Sequence, residues 1–424
     1  MTEQAAAPQR ASARSEKWVA LPYHRHWLLA QASSLFDFFE PAMIDPAGGF
    51  FPLDDRGSPI VRTAAGSPPD REIHVTTRMV HCFAIAVLMG RPGAKKFVDH
   101  GVEFLWKGHR DGVHGGYVWG VGKDGPGDRR KQAYGHAFVL LAASSAKLVG
   151  HPDADRLLED VSEVLRERFW EKSPGASAEE FAADWSSISN YRGQNSNMHL
   201  TEACMAAFEA TGDSTYLEMA ESIATLLIRT KAAANGWRLP EHFDRNWLLD
   251  RDYSGGDVFR PYGTTPGHSL EWTRLLLQLW ELGGRRLEWI PEAAKALFAR
   301  ATTDGWNAEL GGFHYTLDWT GAPHLRNRLW WPAAEGIGAA AFLNAIDGAA
   351  EYETWYRRIW DFVATDIIDR ENGGWRAEAL DPSGSVTPLF EGKPDLYHAL
   401  QACLIPLLPT SGSVTRGLAT AGLP

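Results

Sequence analysis

The stretch FRPYGTTPGHSLEW, at residues 259–272, places a histidine and a glutamate one turn apart at the start of a predicted helix. The pair Thr264–Thr265 consists of N-capping residue types and Pro266 suits the first turn, so the helix is predicted to begin there. His268 and Glu271 then lie on one helical face, near an N-terminus that stabilises carboxylates and not cations. A neutral imidazole beside a carboxylate can transfer protons, so this stretch predicts an acid/base pair.

Histidines occupy a similar position in two further predicted helices, each directly after a long loop. The segment NSNMHLTE contains His199 and Glu202 at the same spacing, and KPDLYH contains His398. A fourth helix start, TTRM, contains Arg78. If these helices line one cavity, three histidines and an arginine converge there.

Two other kinds of site stay open on the residues alone. A histidine and a glutamate at i, i+3 can ligate a metal ion, although the chain has no HExxH motif and no carboxylate-rich cage. A glycoside hydrolase needs two carboxylates that face each other across the scissile bond. The candidates for that role are Asp111, Asp184, Glu271 and Glu335. The glycine-rich run around Gly120 is not flanked by a βαβ pattern, so no nucleotide site is predicted.

The composition is typical of a globular protein with a large core. The chain has 424 residues, of which 44% are hydrophobic and 22% charged. Its net charge of −11 disfavours nucleic acid as a partner, because such binding needs basic patches. The 18 tryptophans, several of them in glycine-rich loops near histidines and carboxylates, suit a sugar-binding cleft, where rings stack on the apolar faces of sugars.

The cysteines and the termini indicate a cytoplasmic protein without a membrane partner. Cys82, Cys204 and Cys403 are far apart and form no disulfide framework or metal-ligand spacing, which favours a reducing compartment. The chain has no apolar run of about 18 residues, so no membrane span is expected. Residues 1–18 lack the apolar core of a signal peptide and are predicted to be a disordered tail.

Helical periodicity recurs along the chain and predicts about twelve helices, the last at Lys393–Leu407. The long loops repeat a Gly-Gly-aromatic motif, with Gly236-Trp237 as a degenerate copy. The aromatic residues are Phe50, Tyr117, Phe313 and Trp375. Adjacent copies are roughly 60–75 residues apart, which matches one helical hairpin plus its loop. We therefore predict an all-α ring of helical hairpins with its long loops on one face. It forms one catalytic domain at 19–410, followed by a C-terminal tail at 411–424.

Five segments together resemble the N-acylglucosamine 2-epimerase family. They are NSNMHLTEACMAAFEATGD, FRPYGTTPGHSLEWTRLLL, RLWWPAAEGIG, YETWYRRIWDF and KPDLYHAL. The resemblance runs from about residue 20 to residue 409 and is strongest to the aldose–ketose isomerase branch. It implies an (α/α)6 barrel, in agreement with the predicted number of helices. It also implies chemistry through a cis-enediol or enediolate, without a metal or any other cofactor.

The resemblance also implies roles for individual residues. His398 matches the base that removes the C2 proton of the sugar, and His268 matches the second acid/base, with Glu271 beside it as its partner. A histidine that acts as a base at pH 7–8 has to be neutral there. The positions that match substrate contacts are Arg78, Asn195, His199, Phe259 and Trp331.

A small neutral monosaccharide is the expected substrate. The branch of the family that acts on a sulfonated sugar has an arginine before the Phe259 position and a glutamine before the last motif's aspartate, where this chain has Val258 and Pro394. We expect a monomeric or homodimeric isomerase that interconverts D-mannose and D-fructose, and D-lyxose and D-xylulose. A sugar 2-epimerase uses the same two histidines and stays open, as does a glycoside hydrolase on the same barrel.

Overall fold

A computed structural model gives the fold and describes residues 17–62, 69–123, 125–255 and 258–422. Residues 1–16 of the predicted N-terminal tail lie outside the described residues. The last two residues of that tail are attached to the barrel, since Lys17 Nζ donates to the Asn344 carbonyl at 2.6 Å and the Trp18 amide donates to Glu353 Oε1 at 2.9 Å.

Helices dominate the described residues. The α-helices are Pro22–Phe39 (α1), Ile73–Leu88 (α2), Lys95–Phe104 (α3), Ala133–Leu148 (α4), Ala154–Val164 (α5), Gln194–Thr211 (α6), Ser214–Ala224 (α7), Pro266–Leu282 (α8), Ile290–Gly305 (α9), Trp330–Ile346 (α10), Ala350–Phe362 (α11), Tyr397–Leu404 (α12) and Val414–Ala421 (α13). Four of them continue into π-helical turns, at Leu105–His109, Leu165–Phe169, Thr225–Ala232 and Val363–Ile367. Short 3₁₀ turns lie at Trp18–Ala20 and Ile405–Leu407. No helix in these ranges is long and apolar enough to cross a membrane.

Twelve of these helices form two concentric rings. The inner ring runs α2, α4, α6, α8, α10 and α12, and α12 packs back against α2. In the outer ring α3, α5, α7, α9 and α11 each pack on the preceding inner helix, and α1 packs on α12, so the two ends of the chain close the ring. Nearly every residue of α4 is buried, whereas α5 buries one stripe at i, i+3, i+4 and i+7 spacing, as inner and outer helices require. The predicted (α/α)6 barrel is confirmed.

Short strands join neighbouring loops at one rim of the barrel. They are Arg71–Glu72 (β1), Gly120–Gly122 (β2), Gly125–Pro126 (β3), Lys131–Gln132 (β4), Trp170–Glu171 (β5), Ala176–Ser177 (β6), Glu180–Phe181 (β7), Arg192–Gly193 (β8), His242–Phe243 (β9), Thr316–Leu317 (β10) and Pro323–Leu325 (β11). The antiparallel pairs are β1–β2, β2–β3, β4–β7, β5–β6, β8–β9 and β10–β11.

The segment before each inner helix is hydrogen-bonded to the loop of a neighbouring hairpin. Strands β1, β4 and β8 directly precede α2, α4 and α6 and pair with loops that lead to the next inner helix. Thr264 bridges to Leu317 in the same way before α8, and Leu329 bridges to Glu378 before α10. The Lys393 amide donates to the Leu53 carbonyl at 3.0 Å and completes the circle before α12. These links fix where the inner helices begin, and therefore where the side chains of their first turns lie.

The Gly-Gly-aromatic loops form tight hairpins at the ends of outer helices. Each aromatic residue bridges back across its turn, as Phe313 does to Trp306. Gly312 has a φ of 77°, and a Cβ there would lie 2.5 Å from the Phe362 ring. Only glycine adopts this conformation without strain, which explains the repeated glycine pairs.

The C-terminal region differs from its prediction in two ways. The last barrel helix begins at Tyr397 and not at Lys393, because the Asp395 carboxylate accepts the amides of Tyr397 at 3.0 Å and His398 at 3.1 Å and so caps the helix. Beyond it, the predicted tail at 411–424 contains helix α13, which packs against α2, α4 and α6.

Candidate active site

A cavity with about 600 Å³ of space, part of it open to solvent, lies at the N-terminal ends of the inner helices. All six inner helices contribute residues to its lining. Every residue predicted for the site lines this one cavity, namely Arg78, Asn195, His199, Phe259, His268, Glu271, Trp331 and His398. The structure therefore brings together residues from five separate sequence motifs.

His398 is held by a carboxylate from the neighbouring inner helix. Its Nδ1 lies 2.9 Å from Glu335 Oε1, and the other oxygen of Glu335 accepts from Arg274 Nε at 3.1 Å. Burial alone would raise the pKa of Glu335, but Arg274 and His398 outweigh that effect and hold the pKa below its usual value. The ionised Glu335 accepts a hydrogen bond from Nδ1–H, so Nε2 is the nitrogen that carries the lone pair. The sequence had presented Glu335 only as a possible glycosidase carboxylate.

His268 is held by Glu241, a residue of the long loop before α8. His268 Nδ1 lies 2.9 Å and 3.1 Å from the two carboxylate oxygens of Glu241. Glu241 Oε1 also accepts the backbone amide of Thr265 at 3.2 Å. The predicted threonine cap is therefore wrong, because the Thr265 hydroxyl has no hydrogen-bond partner among the described residues. Glu241, which is distant in the chain, binds the helix N-terminus instead.

The predicted pairing of His268 with Glu271 is also wrong. Glu271 Oε1 lies 3.6 Å from His199 Nδ1 and 3.8 Å from Arg274 Nη2. Side chains three residues apart are rotated by about 60° around a helix, enough for the two to face different neighbours. Burial and the nearby Glu335 and Glu202 raise the pKa of Glu271 well above its usual value. These surroundings therefore favour the protonated form of Glu271 in the cavity lining.

His199, Glu202 and Glu271 are the described residues that could hold a metal ion, with ligand atoms within 4.8 Å of one another. Arg274 Nη2 lies 3.7 Å from Glu202 and 3.8 Å from Glu271. The guanidinium therefore already supplies positive charge next to both carboxylates, and Glu202 also accepts from the Tyr397 hydroxyl. Burial lowers the pKa of His199 to about 4, so its imidazole is neutral.

Arg78 enters the cavity from α2 as a fixed cation. Its Nη2 donates to the Tyr134 hydroxyl at 2.9 Å, and its Nη1 lies 3.8 Å from Asp395. The guanidinium also lies over the Phe138 ring at 4.6 Å. Burial would lower the pKa of Arg78, but Tyr134 and Asp395 raise it above its usual value. The Arg78 Nε has no hydrogen-bond partner in the described part of the chain, so one donor is left over.

Aromatic and apolar side chains form the walls between these polar groups. The Trp331 ring centre lies 5.0 Å from that of His268 and 5.9 Å from that of His398, so the indole contacts both imidazoles. Asn195 donates to the Phe259 carbonyl at 3.3 Å, and its side-chain oxygen has no partner among the described residues. Val258 and Pro394, where a sulfonated-sugar isomerase has polar residues, also line the cavity.

The cavity lining also contains a histidine that was not predicted for the site, and two predicted candidates lie elsewhere. His74 stacks on Trp119 with ring centres 5.2 Å apart, and burial lowers its pKa to about 3. His74 occupies the first turn of α2, like the other cavity histidines on their helices, and that position is a usable signal. The glycosidase candidates Asp111 and Asp184 do not line the cavity: Asp111 pairs with Lys131 at 3.1 Å, and Asp184 is exposed.

Comparisons with known proteins agree with this architecture. The family model for N-acylglucosamine 2-epimerase matches residues 48–402, and the chain belongs to this family. It is 43% identical over 414 residues to a D-mannose isomerase of Thermobifida fusca, covering 96% of this chain and 99% of the relative. It is 42% identical over 411 residues to a D-mannose isomerase of Pseudomonas cannabina pv. alisalensis, covering 95% and 97%. A crystal structure of a D-mannose isomerase superposes with a TM-score of 0.84 at 31% identity, covering 92% of this chain and 99% of that one.

Proposed function

We propose that the chain is an aldose–ketose isomerase that interconverts D-mannose and D-fructose, and also D-lyxose and D-xylulose. The observation that carries the proposal is the pair of carboxylate-bound histidines, His398 and His268, on either side of Trp331 in one cavity. Two relatives named as D-mannose isomerases, each more than 40% identical over nearly the full chain, support the choice of sugar.

The proposed reaction moves one proton from C2 to C1 of the open-chain sugar. His268 assists ring opening, His398 removes the C2 proton through Nε2, and the electron pair forms a cis-enediolate. Arg78 stabilises the negative charge that develops on the enediolate oxygens, since it is a buried cation with an unused donor. His268 moves a proton from the O2 hydroxyl to O1, and His398 returns its proton to C1, which gives the ketose.

Three features of the cavity favour a neutral sugar and a reaction without a metal ion. Arg78 is the only lysine or arginine among the described lining residues, so a phosphate or sulfonate would find no second cation besides the one assigned to the enediolate. Val258 and Pro394 add no charge. Arg274 occupies the position beside Glu202 and Glu271 where a metal ion would bind.

Incubation with D-mannose in D₂O, followed by NMR, tests the proposal. We expect fructose with deuterium at C1, because the proton on His398 exchanges with solvent. Fructose without deuterium would indicate a hydride shift and would contradict the enediolate. Glucose with deuterium at C2 would identify a 2-epimerase, which returns the proton to the opposite face from His268. Activity that is unchanged by EDTA is expected, and loss of activity restored by a divalent ion would contradict the metal-free reaction.

The location and partners of the protein are part of the same proposal. The three cysteines are buried free thiols in this structure, which suits the reducing cytoplasm. We infer no nucleic-acid or membrane partner and a monomer or homodimer. Gel filtration with light scattering measures the last point directly.

A further inference from the structure

A closed circuit of hydrogen bonds surrounds His268 on the side away from the cavity. It runs from Trp272 to Gln194, from Gln194 to Glu241, and from Glu241 to His268. Trp272 and His268 lie one turn apart on α8, so the circuit begins and ends on the same helix. Gln194 and Trp272 are fully buried, and Glu241 is 3% exposed. Neither Gln194 nor Glu241 lines the cavity.

The direction of each hydrogen bond in this circuit is fixed by chemistry. The Trp272 indole can only donate, and its Nε1 lies 2.8 Å from Gln194 Oε1. The amide oxygen of Gln194 therefore faces the indole, and its NH₂ group faces Glu241 Oε2 at 2.8 Å. Burial would raise the pKa of Glu241, but His268 and the hydrogen bonds outweigh it and hold the pKa below its usual value. Glu241 is therefore a carboxylate that can only accept.

We propose that Gln194 and Glu241 are a positioning pair that holds His268 in the Nδ1–H tautomer, so that Nε2 is the atom that exchanges protons with the sugar. Nδ1 lies 2.9 Å and 3.1 Å from the two carboxylate oxygens of Glu241. Gln194 Nε2 also lies 2.9 Å from Nδ1, but it is a donor, so it supports this tautomer only through its hydrogen bond to Glu241 Oε2. A lone pair on Nδ1 would face the carboxylate, whereas a proton there makes a charge-assisted hydrogen bond to it. The role in the reaction rests on the proposed function, because it requires that His268 transfers protons to a sugar.

Backbone pairing aligns the two members of the pair. Strands β8 and β9 lie beside them in register, with Gly193 opposite His242, and the Gln194 amide donates to the Glu241 carbonyl at 3.0 Å. In the described residues, the only ion-pair partner of Glu241 is His268. The carboxylate is therefore directed at the imidazole by a rigid strand pair and not shared with a surface cation.

The test replaces Glu241 and observes His268 directly. ¹⁵N-histidine NMR of the wild-type protein is expected to show His268 protonated on Nδ1, with the signal assigned by its loss in His268→Asn. In Glu241→Gln the new amide offers an NH₂ donor to Nδ1, so we expect the proton to move to Nε2. A wrong tautomer at a catalytic histidine costs about 10²- to 10⁴-fold in kcat, and we expect a loss of that size with little change in KM.

Matched variants separate positioning from folding. Glu241→Asp keeps the carboxylate and should restore the Nδ1–H signal and part of kcat. Glu353 on α11 is also a buried carboxylate and accepts a hydrogen bond from Asn344 at 2.8 Å. Glu353→Gln should change neither the His268 signal nor kcat. If Glu241→Gln does not fold, Gln194→Met removes, at similar volume, the hydrogen bond that aligns Glu241, and a lower kcat with little change in KM is expected. Wild-type kcat in this variant would contradict the positioning role.

The outcomes distinguish this inference from the proposed function. If mannose is isomerised but Glu241→Gln keeps both the Nδ1–H signal and wild-type kcat, the positioning pair is overturned. If the wild type does not act on mannose but His268 shows an Nδ1–H tautomer that is lost in Glu241→Gln, the pair stands and the proposed function fails.

Discussion

The two histidines of the cavity are both bound to carboxylates, but the two carboxylates differ in their own surroundings. Glu335, behind His398, also accepts from Arg274 at 3.1 Å. Glu241, behind His268, contacts a glutamine and one backbone amide, and no lysine or arginine among the described residues lies within ion-pair distance of it. One histidine therefore faces a carboxylate whose charge is shared with a cation, and the other faces a carboxylate that is not.

The two histidines have different roles in the proposed reaction. His398 also has Asp395 Oδ2 3.9 Å from its Nε2, whereas Glu241 is the carboxylate that His268 contacts among the described residues. The proposed roles, His268 in ring opening and His398 as the base at C2, therefore fall in two different surroundings.

Replacement of each histidine is expected to have the largest effect on activity and tests this comparison directly. His398→Asn removes the base, so we expect both deuterium exchange at C2 and fructose formation to fall about 10³-fold or more. His268→Asn leaves the base in place and is expected to reduce fructose formation by about 10²-fold. NMR of mannose in D₂O measures both rates in one sample.

A third variant controls for the loss of a buried imidazole. His24 lies on outer helix α1 and is 2.9 Å from the Tyr356 hydroxyl, far from the cavity lining. His24→Asn should keep the wild-type rates. Equal and mild losses in His398→Asn and His268→Asn would contradict the division of roles.

The sequence predicts the barrel well because its signals are local. The buried stripe of α5 and the glycine pair before Phe313 each depend on neighbours within a few residues. Periodicity and turn chemistry detect such patterns. The histidines were found for the same reason, since each lies in the first two turns of a helix that follows a long loop.

The partners of the histidines could not be predicted from the same signals. Glu241 is 27 residues before His268 in the chain, and Glu335 is 63 residues before His398. Rules for i, i+3 and i, i+4 pairs detect contacts along one helix only, so they selected Glu271 for His268. The true pairings depend on which loop the rim strands align and on which inner helices are neighbours.

Replacement of Arg274 is expected to have the next largest effect, because it removes the cation that distinguishes the two pairs. In Arg274→Met the buried Glu335 and Glu202 lose their shared counter-charge, which is expected to lower the free energy of unfolding by about 3–5 kcal/mol. Chemical denaturation followed by fluorescence measures this loss. Arg274→Lys keeps the charge and should recover part of it.

A surface pair provides the comparison for that variant. Arg286 lies 2.9 Å from Glu221, but its side chain is 62% exposed. Arg286→Met should therefore cost less than about 1 kcal/mol. A loss in Arg274→Met no larger than this one would show that Arg274 does not balance the charge of the buried cluster.

The smallest expected effect concerns Glu271, whose neutral state keeps Arg274 available to Glu335. A charged Glu271 would compete for Arg274 Nη2, which lies 3.8 Å away. Burial, then Glu335 and Glu202, raise the pKa of Glu271 well above the ordinary value of 4.5. The folded state then holds a proton that the unfolded state releases. The stability this contributes is full below pH 4.5 and is lost as pH rises through the folded-state pKa.

Glu271→Gln keeps a neutral side chain of the same shape, so its stability should not fall as pH rises. Its free energy of unfolding should therefore rise relative to that of wild type between pH 5 and 8. One proton gives a slope of at most about 1.4 kcal/mol per pH unit. The stability contributed by Glu202 should depend on pH in the opposite direction. His199 and Arg274 outweigh burial and lower the pKa of Glu202, so this contribution is lost as pH falls, and Glu202→Gln should lack that loss. Denaturation curves of wild type and Glu271→Gln between pH 5 and 8, and of wild type and Glu202→Gln below pH 4.5, measure the slopes. A Glu271→Gln curve parallel to wild type would mean that Glu271 is charged, and Arg274 would then be shared among three carboxylates instead of serving mainly Glu335 and Glu202.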